Sequence, residues 1–262
     1  MSDFTRRKLL TNAMATSMAL EPMRNALAQS SDGFGEASDV GRKMNADGTV
    51  REFFANTFIG PLGQQGEDFA VFDALLDVYR EFPRHNFHKK IALLPPSSYH
   101  ITVFGGLNEV DRGTPRWAHT IPADLPIEDV TERYLRALRA LTKFEKKPFQ
   151  LAVDFERPLN FRGSFYIPLR PVDEDTRVRL QSIRDQLALL TGIRRADHNR
   201  YEYHVTLGYF FQSLNAHEVK ALAATTKQWM QRVALLRRPL NIDAVHFCRL
   251  RDMYAFEQLH QL

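Results

Sequence analysis

Two short segments of this chain carry residue types that can move protons beside a phosphate. "SSYHITVFGG" (Ser97–Gly106) sets His100 and Thr102 two residues apart, and "YEYHVTLGYFF" (Tyr201–Phe211) does the same with His204 and Thr206. In an extended chain successive side chains alternate faces, so each histidine shares a face with a threonine about 7 Å further along. Ile101 and Val103, like Val205 and Leu207, turn an apolar surface the other way. The two segments agree at consecutive positions, Tyr-His-(Ile/Val)-Thr-(Val/Leu). An imidazole titrates near neutral pH, so one ring can take a proton while a second, protonated ring gives one. A hydroxyl one pleat away can hydrogen-bond a non-bridging phosphate oxygen and help hold phosphorus between the rings. Two histidines and two threonines on one phosphate suffice for phosphodiester cleavage without a metal, the nucleophile being water or a neighbouring ribose hydroxyl.

The elements that must position these residues can be read along the chain. "NTFIGPL" is a short apolar strand, and "EDFAVFDALLDVYREF" spaces Phe69, Phe72, Leu75, Leu76 and Tyr79 as a helix does. "KIALLPPSSYHITVFGG" predicts two strands divided by Pro95-Pro96, and "IEDVTERYLRALRALTKF" an amphipathic helix. The same grammar returns in the second half. "PFQLAVDFE" and "GSFYIPLRP" read as strands. A helix follows whose apolar set is Val178, Leu180, Ile183, Leu187 and Leu190, closed by Gly192. Beyond the second motif strand come a further helix and a last pair of strands, "LNIDAVHFCRLR" and "MYAFEQL". Strands and helices that do not strictly alternate predict an α+β fold with antiparallel sheets.

The paired His-x-Thr motifs in a duplicated chain resemble the two-histidine (2H) phosphoesterase superfamily, which includes 2′–5′ RNA ligase-like proteins and cyclic nucleotide phosphodiesterases. "NTFIGPL", "KIALLPPSSYHITVF" and "YEYHVTLGY" look like an uncharacterised bacterial branch of it. The resemblance implies two pseudo-symmetric lobes, each an antiparallel sheet backed by helices, about a central cleft. It also implies His100 and His204 as acid and base, Thr102 and Thr206 as phosphate ligands, and no metal or other cofactor. The expected domain is 56–262, with lobes 56–147 and 148–262.

Composition narrows the partners. The chain has 262 residues, 44% of them hydrophobic, and a formal charge of +4. Half of that charge falls in the first 28 residues, so the remainder is nearly neutral and not built to hold a long phosphate backbone by counterion release. A small phosphodiester, a nucleotide or an RNA end, is the expected partner of a monomer, with neither long nucleic acid nor membrane engaged. The one cysteine, Cys248, reads as a small core residue.

Residues 1–28 have the layout of an export signal: "TRRKLL" resembles a twin-arginine motif, a short apolar run follows, and Ala26-Leu27-Ala28 offers a cleavage site. This predicts a periplasmic or exported protein, the alternative being a cytoplasmic one. Residues 29–55 read as linker and turns.

Four further residues are candidates for a substrate rim. Arg195 and His198 lie in the basic run "RRADHNR", and Arg162 and Tyr166 in "NFRGSFYIPL". His85 and His88 have a spacing that could ligate a metal but no partner at a recognisable distance in the sequence, and read as surface residues. Two rival functions remain open on the sequence: a non-catalytic module that binds a phosphorylated ligand in the same cleft, and a metal-dependent hydrolase using other histidines.

Overall fold

The computed structural model describes residues 34–140 and 147–262. The signal-like segment 1–28 and the stretch 141–146, where the second helix was expected to continue, lie outside them. Among the described residues of Gly35–Leu262, which form one unit, nine strands and four helices of eight residues or more follow in order. They are β1 (Ala55–Pro61), α1 (Phe69–Glu81), β2 (Ile91–Leu93), β3 (His100–Asn108), α2 (Ile127–Arg139), β4 (Phe149–Val153), β5 (Ser164–Pro171), α3 (Glu174–Thr191), β6 (His204–Phe210), α4 (Ala216–Leu235), β7 (Leu240–Ile242), β8 (His246–Leu250) and β9 (Phe256–Gln261).

All nine strands join one strongly curled antiparallel sheet, a half-barrel in the order β7-β4-β5-β6-β3-β1-β8-β9, with β2 also paired to β6. The motif strands β3 and β6 are therefore central neighbours. The spatial halves do not follow the sequence halves. The half around β3 is completed by β8 and β9 from the C-terminal end, and the half around β6 borrows β2 from the N-terminal part. β7 leaves the final group to pair with β4, so the last strand pair is β8–β9.

The helices pack as two pairs, α1 with α4 and α2 with α3. Two of them, α3 and α4, are capped by their own side chains. Asp173 accepts the Thr176 amide at the start of α3, and Gly192 (φ 72°) closes it in the left-handed region that glycine tolerates. Asn215 and Glu218 form a reciprocal capping box on α4.

One expectation for α3 is corrected: Val178 is 50% exposed. The buried stripe runs instead through Thr176, Leu180, Ile183, Arg184, Leu187 and Thr191, which keep the three-and-four spacing from which Val178 is displaced. The core between sheet and helices is aromatic, built on Phe58, Phe82, Phe87, Phe165, Phe247 and Trp229. Cys248 is buried on the other face of β8, opposite Thr57, and burial pushes its thiol up to about 12.

From Gly35 to Phe54, part of the stretch expected to be linker and turns, the chain does form turns, but they are docked on the sheet. Met44 is fully buried, and the Gly35 amide donates to the Phe161 carbonyl. Among the described residues no helix is long and apolar enough to cross a membrane.

Candidate active site

Register brings the four motif residues together. Ile101 pairs with Val205, both fully buried, where β3 meets β6. In an antiparallel pair one residue to either side, on the opposite face, sets His100 across from Thr206 and Thr102 across from His204, neighbours with Cβ atoms about 5 Å apart. All four line one cleft of about 340 Å³.

Both motifs repeat the same backbone device. β3 bulges at Val103, because Phe58 and Ile59 of β1 pair with Phe104 and Thr102; β6 bulges at Leu207, because Phe165 and Tyr166 of β5 pair with Gly208 and Thr206. Each bulge residue is the fifth of the shared pattern, directly after the threonine. A bulge bends a strand and adds twist, which curls the sheet around the cleft.

The histidines are oriented identically. Nδ1–H of His100 donates to the Ser98 carbonyl (2.7 Å), and Nδ1–H of His204 to the Glu202 carbonyl (2.9 Å). A carbonyl only accepts, so Nδ1 keeps the proton and the Nε2 lone pair of each neutral ring is left for other work. Desolvation draws both rings down to about 4, opposed in each by the carbonyl bond; His204 is lowered further by Arg157, His100 and Lys43. Each ring also rests on an aromatic, His100 on Phe256 of β9 (centroids 4.3 Å apart) and His204 on Tyr166 of β5 (4.9 Å).

The surroundings favour an anion. Arg42, Lys43, Arg116, Arg184 and Arg195 line the cleft, against the carboxylates Asp111 and Asp197. Lys43 comes from the docked turns; its Nζ is 3.5 Å from Asp39 and lies 4.8 Å from the Tyr209 ring centroid. Burial opposes its charge, but Tyr209 and Asp39 outweigh burial and its pKa stands above the ordinary value. The Tyr201 side chain lies beside Thr102 in the cleft.

The rim candidates part company. Arg195 lines the cleft and donates to the carbonyls of Gly105 (2.9 Å) and Gly106 (2.7 Å). Tyr166 lies against His204, its hydroxyl donating to the Asn160 carbonyl. His198 borders the cleft but is no rim residue: it is buried, its Nε2 held 2.7 Å from Asp185 and its carbonyl accepting from Arg184. Arg162 is exposed and outside the cleft lining, because the left-handed turn at Gly163 (φ 74°) sets it off β5. His85 stacks on Phe87 (5.0 Å) and His88 bonds the His85 carbonyl. Among the described residues no cluster of His, Cys, Asp or Glu is disposed to hold a metal ion.

Sequence reading missed Lys43, Phe256, Tyr201 and Tyr209. Simple alternation places Tyr209 opposite His204; the bulge at Leu207 reverses the parity and brings it to the cleft face beside Thr206. Lys43 and Phe256 are far from both motifs in sequence and carry no local signal.

Comparison with known proteins bears on the fold and the family. Residues 43–161 match the family model 2H-phosphodiest, described as "Domain of unknown function (DUF1868)", a span holding the first His-x-Thr strand. No curated protein matches the chain. The crystal structure of a conserved protein of unknown function from Agrobacterium tumefaciens strain C58 superposes with a TM-score of 0.75 at 24% identity, covering 85% of this chain and 91% of that one. At that identity the likeness is one of fold. The family match over residues 43–161 and the shared fold together support a 2H phosphoesterase-like fold for the chain.

Proposed function

We propose that the cleft hydrolyses a phosphodiester of a small nucleotide or RNA end, opening a 2′,3′-cyclic phosphate or cleaving a 2′-linked diester. The observation that carries this reading is the His–Thr register, two imidazoles with Nδ1 tied back and Nε2 left for proton transfer beside two hydroxyls.

In the empty cleft both rings are neutral at pH 7. An anionic phosphodiester favours the charged form of a nearby imidazole, so one ring takes up a proton as substrate enters. Water then attacks phosphorus. The neutral ring's Nε2 removes the water proton, and the protonated ring gives its proton to the departing ribose oxygen as the P–O bond breaks. A phosphomonoester with a free neighbouring hydroxyl leaves. Thr102 and Thr206 hold the non-bridging oxygens, and the cleft cations stabilise the charge that builds on them. None of these steps calls on a metal ion.

A panel of 2′,3′-cyclic nucleotides, assayed in excess chelator with wild type, His100→Ala and His204→Ala, tests the reading. Turnover lost in both variants supports it. Binding without turnover would favour the ligand-binding alternative, and turnover untouched by both substitutions would remove these strands from the chemistry. An export signal at 1–28 would direct such an enzyme to nucleotides or other phosphodiesters outside the cytoplasm, which fractionation of tagged full-length protein would test.

A further inference from the structure

We propose that the ligand of the cleft carries a second phosphate, seated in an adjoining basic pocket; this deepens the phosphodiesterase reading and rests on it for the identity of the first phosphate. The pocket, about 360 Å³, is formed by residues 113–121 and 192–195 and shares Arg116, Ile193 and Arg195 with the catalytic cleft, so the two spaces are adjacent. Its lining includes three guanidiniums, Arg116, Arg194 and Arg195, together with His119, and no Asp or Glu. The cleft, by contrast, mixes its cations with Asp111 and Asp197.

Arg116 and Arg194 each touch a carboxylate, Asp111 at 2.9 Å and Asp185 at 3.3 Å, yet remain 61% and 57% exposed at the side chain. Asp111 is shared with Arg42, so it does not neutralise Arg116 alone, and Asp185 also bonds His198 Nε2. The C-terminus of α3 adds about half a negative charge beside Gly192, well short of three guanidiniums. Planar guanidinium forks suit phosphate oxygens in pairs.

The pocket is also preformed. Trp117 is buried, its Nε1–H donating to the Ile121 carbonyl (2.9 Å), with the Arg112 guanidinium stacked on it at 4.6 Å. Arg112 also donates to the carbonyls of Ala123 and Leu125, pinning the far end of the loop. A Cβ on Gly192 would come within 2.2 Å of Thr120 Oγ1, so the loop sits directly on the end of α3.

Calorimetric titration with a nucleoside 2′-monophosphate and the corresponding 2′,5′-bisphosphate tests this without requiring turnover. Wild type is expected to bind the bisphosphate about tenfold or more tightly, the scale of a charge-assisted bidentate contact. In Arg194→Gln that advantage should shrink to about threefold or less with monophosphate affinity unchanged, and in Arg116→Gln/Arg194→Gln it should vanish. Equal affinity for the two ligands in wild type, binding of neither, or an advantage that survives the double substitution would overturn the proposal. The hydrolysis assay is independent: a preference for the bisphosphate in a protein that hydrolyses nothing would sink the phosphodiesterase reading and leave the pocket standing.

Discussion

The two His-x-Thr strands are alike as far as the bulge and differ beyond it. Past Leu207, β6 is supported by another strand: Ile91–Leu93 of β2 pair with Gly208–Phe210, and the Leu94 amide donates to the bulge carbonyl (2.9 Å). β3 past Val103 receives guanidiniums. Arg184 donates to the bulge carbonyl (2.6 Å), and Arg195 to the carbonyls of Gly105 and Gly106. Two arginines thus support β3 where β2 supports β6. One strand is held by backbone pairing and the other by guanidiniums, while Lys43 brings a cation to the β6 side, against Tyr209.

Glycines sit at both points of close approach. A Cβ on Gly208 would lie 2.8 Å from the Ala92 carbonyl oxygen, and one on Gly105 2.6 Å from an Arg195 guanidinium nitrogen.

The comparison is broken most severely at the histidines. His100→Ala and His204→Ala should each lower kcat about 10²-fold or more, measured by steady-state hydrolysis. A large loss in one and a small loss in the other would mean that the copies are not chemical equals.

Acidity comes next. The proposed mechanism needs one neutral and one protonated ring, and desolvation holds both near 4. As pH rises above about 5 the free enzyme carries that proton ever more rarely, so kcat/KM should fall about tenfold per unit. Stability moves oppositely. Rings whose folded pKa is depressed bind protons more readily when unfolded, so their contribution to stability is complete above about 6.5 and is lost as pH falls towards 4, by up to about 3 kcal/mol per ring. Urea melts across that range check it, and His100→Gln should remove part of the slope.

Arg184→Met should cost about 3 kcal/mol in urea unfolding, because it strands the buried carbonyls of Val103 and His198. Gly208→Ala should cost about 2–3 kcal/mol, since its neighbour is rigid backbone. Gly105→Ala should cost about 1 kcal/mol, because the end of a side chain can move aside. The reverse order for the two glycines would show that the arginine-held half is the stiffer one.

Much of this arrangement was legible before the structure. The motif strands, all four helices and the α+β class follow from local periodicity, and the cleft residues His100, Thr102, His204 and Thr206 from pattern alone. Topology was not, because strand order depends on pairings between distant segments: nothing near β1 announces that β8 and β9 will lie beside it. Arg184 was the one readable clue passed over. A guanidinium lies among Leu180, Ile183 and Leu187 on the apolar stripe of α3, and a charge there must have a buried partner. Tyr209 was hidden by a single extra residue in β6, which no periodicity reports.

The placement of β8 and β9 also bears on how the protein is made. β1 and β3 leave the ribosome well before β8, which pairs with β1, and before Phe256, which lies against His100. The nascent chain therefore holds an unfinished half-site until residues 246–261 have emerged. A ribosome stalled before residue 246 would release a chain with both motifs and no complete cleft.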